Sequence, residues 1–275
     1  VTIAAALTEA QHAIGRLEAR VLLRHVLQCD DAWLIAHDDE QLTAQQTAAY
    51  GALIARRAAG EPVAYLTGRR EFYGRDFKVT PAVLIPRPET ELLVELALQR
   101  LPADGGGRVL DLGAGSGCIG VTIAAERQQA QVTLVDASPE ALDVARANAR
   151  RFAATNTTLL RSDWYAALAD AHYDLILANP PYVAAGDAHL QQGDLRFEPH
   201  SALVAGSDGL ADLRRIVAGA PAHLLPGGWL ICEHGHDQAE ACTALLRQSG
   251  FIHIFTARDL AGIHRVSGGQ VRPRA

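Results

Sequence analysis

From Arg108 onward the chain alternates short apolar runs with helical stretches, and that alternation leaves few folds open. The runs at 108–112, 132–135, 157–160, 173–178 and 229–233 are strand-like, rich in Val, Leu and Ile and too short for helices. Between them, 118–126, 139–151, 210–224 and 238–249 carry helical spacing. Ser138 is placed to cap the second of these helices, with Pro139 at its first position. A strand that returns through a helix re-enters the sheet parallel to its predecessor. Two last runs, 251–255 and 263–271, read as antiparallel partners. The expected class is α/β, with a mostly parallel sheet of seven strands and helices on both faces.

Upstream the pattern differs. Apolar residues recur at helical spacing in three stripes: Ile3, Ala6, Leu7, Ala10 and Ile14; Val21, Leu22, Leu23, Val26 and Leu27; Tyr50, Leu53 and Ile54. Gly15 and Gly60 stand where helices should end, and Thr43 is placed to cap the third helix. Residues 1–66 read as a small helical bundle, either a structural cap or a module that recognises a partner. Residues 67–80 place aromatic and β-branched side chains around Gly74, the signature of a β-hairpin linker. Residues 81–275 form the α/β domain. It is entered through Pro81, Pro86 and Pro88, then a helix from Glu89 to about Leu101 and a glycine run at 105–107.

Charge and cysteines narrow the class. The 31 acidic and 25 basic residues leave a net charge of −6, which argues against a non-specific nucleic-acid binder. No apolar run approaches the ~18 residues of a membrane span, and the first residues lack a signal-peptide pattern. The four cysteines form no Cys-x-x-Cys pair and are expected to be reduced thiols of a cytoplasmic protein. His234 and His236 have no evident third ligand, so no metal site is expected.

The first strand leads into Asp111-Leu112-Gly113-Ala114-Gly115-Ser116-Gly117. Glycines there allow a sharp turn and close approach of a ligand to the backbone. Asp136 ends the second strand, where a carboxylate can accept from both hydroxyls of a ribose. Together these argue for a nucleoside-containing cofactor. Gly115, Gly117 and Gly120 also match a dinucleotide fingerprint, but Gly113 and the acid Asp111 precede it. A carboxylate beside the loop disfavours a pyrophosphate and suits a ligand with an ammonium and a sulfonium. S-adenosylmethionine is such a ligand. After the third strand, Asp163 and Trp164 are placed to grip an adenine by its amine and its face.

The fourth strand stops at Asn179-Pro180-Pro181-Tyr182, because neither proline can donate to a ladder. The Asn179 side-chain oxygen and the Pro180 carbonyl can each accept one N–H of a planar NH₂ group, and Tyr182 can pack on its face. Such a clamp orients a weakly nucleophilic nitrogen toward a methyl donor and favours the positive charge it develops.

This pattern resembles the amino-directed S-adenosylmethionine-dependent methyltransferases, whose substrates are adenine in DNA or RNA and glutamine in protein. Further segments narrow the resemblance: Leu84-Ile85-Pro86-Arg87-Pro88-Glu89-Thr90-Glu91, the residues from Asp136 to Leu142, Ser162-Asp163-Trp164, Arg196-Phe197-Glu198-Pro199, Gly206-Ser207-Asp208-Gly209-Leu210 and Leu225-Pro226-Gly227-Gly228. With the stretch from Gly60 to Gly68 they are similar to the release factor glutamine methyltransferases (PrmC/HemK), over nearly the whole chain. The resemblance implies a Rossmann-like methyltransferase sheet and N5-methylation of the glutamine in the Gly-Gly-Gln motif of class 1 peptide chain release factors. A monomer is expected, with class 1 release factors as partners and with no membrane or direct nucleic-acid partner. The resemblance further implies that Gly113, Ala114, Gly115, Ser116, Gly117, Asp136, Asp163, Trp164 and Asn179 hold S-adenosylmethionine. Asn179 and Pro180 would be catalytic, and with Pro181 and Tyr182 would hold the glutamine. Methylation of adenine in nucleic acid at N6 is the alternative use of the same pocket.

Overall fold

The computed structural model describes residues 1–102 and 106–274, so Gly105 of the glycine run lies outside the described residues. The chain divides into two compact units, Val1–Arg69 with His189–Phe197, and Arg70–Ala188 with Glu198–Ala275.

The first unit is helical: α1 (Ile3–Ile14), α2 (Arg16–Leu27), α3 (Asp31–Ala36), α4 (Ala44–Ala58) and α5 (Val63–Thr67). Thr43 caps a helix, and Gln46 completes a reciprocal capping box, but the helix is the fourth rather than the third. The six-residue α3 is too short to show periodicity; its signal was the Asp30 cap, whose carboxylate accepts from the Trp33 N–H. Ile3, Ala10, Leu22, Leu23, Leu34 and Tyr50 form the core. The segment His189–Phe197 belongs to this unit, tied by Asp194 to Arg57 at 3.1 Å and by Arg196 to the Ala59 carbonyl at 3.0 Å. No local sequence signal marks that association.

A hairpin follows, β1 (Arg69–Phe72) and β2 (Arg75–Lys78). Tyr73 and Gly74 both take positive φ, the turn whose twist matches the strands. Phe72 and Phe77 are fully buried in the core of the second unit. After a 3₁₀ turn at Pro88–Thr90 comes α6 (Glu91–Leu98), shorter at both ends than expected.

The sheet is built from β3 (Arg108–Leu112), β4 (Gln131–Asp136), β5 (Thr157–Arg161), β6 (Tyr173–Ala178), β7 (Leu224–Glu233), β8 (Ile252–Arg258) and β9 (His264–Gln270). The helices between are α7 (Cys118–Glu126), α8 (Pro139–Arg151), α9 (Ala211–His223) and α10 (Ala239–Gln248). Strand order is β5-β4-β3-β6-β7-β9-β8, and only β9 runs antiparallel. This is the Rossmann-like methyltransferase sheet of seven strands. Alternation decides the two faces. Val109, Leu175, Leu177 and Ile231 pack with α6, α7 and α8, whereas Leu110, Ile176, Leu230 and Cys232 pack with α9 and α10. β7 starts five residues before the expected Trp229, because Leu224 already pairs with Tyr173 across an irregular register. The Pro226-Gly227-Gly228 turn bulges within the strand rather than preceding it.

The chain runs outward from β3 to β5 and then returns to place β6 on the other side of β3. The carboxyl ends of β3 and β6 therefore flank a switch in strand order, the place where open α/β sheets bind ligands.

Candidate functional site

A cleft opens at that switch, lined among others by Thr90, Gly113, Asp136, Trp164, Asn179 and Pro181. Ala114, Gly115, Ser116 and Asp163 also line it. Gly117 does not; it takes φ +80° as the residue before α7.

The glycine turn is held from within. The amides of Gly113 and Ala114 both donate to the Val135 carbonyl at 2.9 Å, that of Gly115 to Asp136 Oδ2 at 2.8 Å, and that of Gly117 to the Ala114 carbonyl at 2.7 Å. Four amides that could cradle a phosphate are thus spent inside the fold. The dinucleotide reading loses its anion site here, and the donor set fits a cofactor without phosphates. The expected reason was different. Asp111 does not line the cleft; it is fully buried beneath α7, where its Oδ2 accepts from the Gly120 amide at 2.9 Å. Burial pushes its carboxyl up to about 7, with the Gly120 hydrogen bond opposing and Asp136 adding to the rise. Gly120 is required there, since a Cβ would stand 2.8 Å from Leu134 Cγ and 2.9 Å from that Asp111 oxygen.

Asp136 accepts from Gly115 on one oxygen and from the Ser138 amide on the other, at 2.9 Å. Burial raises its pKa, and these amides oppose the rise. Its remaining lone pairs suit a pair of hydroxyls. Trp164 lies over Gly113: a Cβ at Gly113 would come within 3.2 Å of the ring. The indole N–H donates to Asp212 Oδ1 at 3.2 Å, which fixes the ring plane. Asp163 stands at the rim, paired with Arg215 at 2.8 Å. Asp212, four residues before Ile216 on α9, is the acid that touches the tryptophan, and it carries no sequence signal of its own. Behind the turn, buried Asn148 of α8 donates to the Ser116 carbonyl at 2.8 Å and to the Lys78 carbonyl at 3.0 Å, and accepts from the Lys78 amide.

Of the residues ending β6, Asn179 and Pro181 line the cleft. Pro180 is buried behind them. Tyr182 lies off the lining, its hydroxyl pushed up to about 12 by burial, and its carbonyl accepts from Gln238 at 3.0 Å. Asn179 donates from Nδ2 to Thr90 Oγ1 at 3.2 Å, while its Oδ1 has no partner. A buried amide oxygen without a partner is costly unless a ligand completes it. His234 is buried with both ring nitrogens engaged, by the Gly235 carbonyl at 2.8 Å and Ser267 Oγ at 2.9 Å. No cluster of three metal-ligating side chains occurs among the described residues. No helix among them is long and apolar enough to cross a membrane.

Comparison with known proteins places this geometry. Residues 89–196 match the methyltransferase small domain, and residues 2–68 match the PrmC N-terminal domain. The release factor glutamine methyltransferase of Bordetella pertussis is 56% identical over 261 residues, covering 94% of this chain and 96% of that protein. The chain belongs to the release factor glutamine methyltransferase family. Other members are equally collinear: the Escherichia coli enzyme is 44% identical over 255 residues, covering 93% of this chain and 92% of its own. Among solved structures, a methyltransferase from Pyrococcus furiosus superposes with TM-score 0.56 at 19% identity, covering 80% of this chain and 98% of that one. That likeness is of fold.

Proposed function

We propose that this protein transfers a methyl group from S-adenosylmethionine to the side-chain nitrogen of the glutamine in the Gly-Gly-Gln motif of class 1 peptide chain release factors. Near full-length identity to release factor glutamine methyltransferases supports the reaction and the cofactor. The observation in this fold that carries it is the unpartnered Asn179 Oδ1 at the carboxyl end of β6.

S-adenosylmethionine supplies a methyl on a sulfonium, whose transfer forms an N–C bond, breaks an S–C bond and releases one proton. The residues of this chain bind and orient. Asp136 accepts from the ribose hydroxyls, and Trp164 offers its face to the adenine. The Asn179 oxygen and the Pro180 carbonyl accept the two N–H bonds of the glutamine amide. This aims the nitrogen lone pair and favours the positive charge that grows on it. No strong base is required, because the proton becomes acidic as the new bond forms. Asp163 completes the rim, and Pro181 and Tyr182 stiffen the clamp. The helical unit, matched by the PrmC N-terminal domain, helps to hold the release factor. The protein works in the cytoplasm as a monomer, and its −6 charge disfavours a nucleic-acid substrate.

Incubation with methyl-labelled cofactor and purified release factor, followed by peptide mapping, tests this. Label should reside in the Gly-Gly-Gln peptide. Label in added DNA or RNA instead would favour an adenine N6-methyltransferase.

A further inference from the structure

Asn179 can serve as an acceptor only if its amide is turned the right way. An asparagine side chain presents an oxygen on one side and an NH₂ on the other, and the two ends are nearly equal in size. In the inverted orientation a donor would face the glutamine NH₂, and the clamp would repel the group it should bind. Something must select the orientation.

Two side chains surround the NH₂ end. Thr90, 2% exposed and next to the start of α6, receives the Nδ2 hydrogen bond at 3.2 Å. Glu233, also 2% exposed, ends β7, and its Oε2 is buried without a hydrogen-bond partner. The sheet makes this meeting obligatory: Ala178 of β6 pairs with Cys232 of β7, so the next residues, Asn179 and Glu233, leave the ladder side by side. An ionised carboxylate only accepts. Such an acceptor beside them can take the Thr90 hydroxyl hydrogen, leaving the Thr90 oxygen to accept from Asn179, and can take the second amide hydrogen itself. An amide oxygen facing the same way would set two acceptors against each other at the carboxylate and could be met only by turning the Thr90 hydroxyl away from Glu233. Burial pushes the Glu233 carboxyl up to about 7, with Thr90, Arg265 and Asn179 opposing the rise and Glu89 adding to it, so the accepting form is present from neutral pH upward.

We infer that Thr90 and Glu233 are positioning residues that lock the Asn179 amide with its oxygen toward the reacting nitrogen. This rests on the reading of Asn179 as the acceptor for the glutamine amide. It assigns a role to two residues that no motif at the end of β6 contains.

Glu233→Gln keeps shape but replaces the acceptor with a group that donates as readily as it accepts. Its kcat for release-factor methylation is expected to fall about 10²-fold, the cost of a misaimed reacting group. Cofactor affinity, measured by calorimetry, should stay within about 3-fold, since Glu233 is not among the cleft-lining residues. Thr90→Val should also lose kcat, and Thr90→Ser, which restores the hydroxyl, should recover most of it. In the ¹⁵N-labelled protein without cofactor, the Asn179 side-chain NH₂ should exchange with solvent faster in Glu233→Gln than in the wild type. Near-normal kcat in both Glu233→Gln and Thr90→Val overturns the lock, as does a Thr90→Ser variant no better than Thr90→Val. A loss of cofactor affinity matching the loss of kcat, or unchanged NH₂ exchange, also overturns it. Failure of the underlying reading looks different: Asn179→Ala would then retain turnover, or the wild type would leave the Gly-Gly-Gln peptide unlabelled.

Discussion

The Gly115 amide donates to Asp136 Oδ2 at 2.8 Å, so the acid at the end of β4 and the glycine turn after β3 form one unit. Removing the carboxylate frees the turn and, on the proposed reading of the cleft, also removes the acceptor for the ribose. Asp136→Ala should weaken S-adenosylmethionine binding by about 10- to 100-fold, the scale of one charge-assisted hydrogen bond. Calorimetry checks it. Unchanged affinity would exclude Asp136 from the cofactor site.

Asn179→Ala deletes the unpartnered oxygen while leaving strand β6 intact. Turnover on release factor should fall by about 10²–10³-fold, by analogy with loss of one preorganised polar group. Single-turnover kinetics at saturating cofactor isolate the chemical step.

Gly120→Ala concerns packing rather than ligands, because Gly120 does not line the cleft. The added Cβ would press on Leu134 and on the Asp111 carboxylate. A loss of about 1–3 kcal/mol is expected, as for other overpacked cores. A denaturant melt at fixed pH measures it.

Asp111 gives stability a pH dependence with a definite sign. Its carboxyl is raised from 3.8 to about 7 in the folded chain. The folded state therefore holds the proton more tightly, and the contribution is complete below the unfolded value and disappears as pH rises through the folded one. Glu233, raised by burial to about 7, acts in the same direction. The urea midpoint should drop between about pH 4 and pH 7, and Asp111→Asn should flatten that drop. An unaltered slope in the variant would remove Asp111 as its source.

The α/β core was legible because its signals are local. The central strands are short apolar runs buried on both faces, and Pro139 or a glycine marks most boundaries. The glycine turn, Asp136 and the Asn179 stop are likewise contiguous in sequence. What escaped was set by tertiary adjacency. Glu233 meets Asn179 only because β6 and β7 pair in a particular register, and Asp212 meets Trp164 only because α9 packs on the sheet face. Asp111 was visible as an acid near the turn, but the alternation that points it under α7 makes it a partner of Gly120 rather than of a ligand. The bulge at Pro226 in β7 was hidden because proline and paired glycines ordinarily end a strand.

Asn148 joins three pieces of chain far apart in sequence: α8, the last residue of β2 and the glycine turn at Ser116. Opening any one of them breaks buried hydrogen bonds in the others, so they should open together as one cooperative unit. A ligand that steadies the glycine turn then steadies the hairpin as well. The Lys78 amide, whose hydrogen is held by Asn148 Oδ1 at 2.8 Å, should then report occupancy of the cleft from a strand that does not line it.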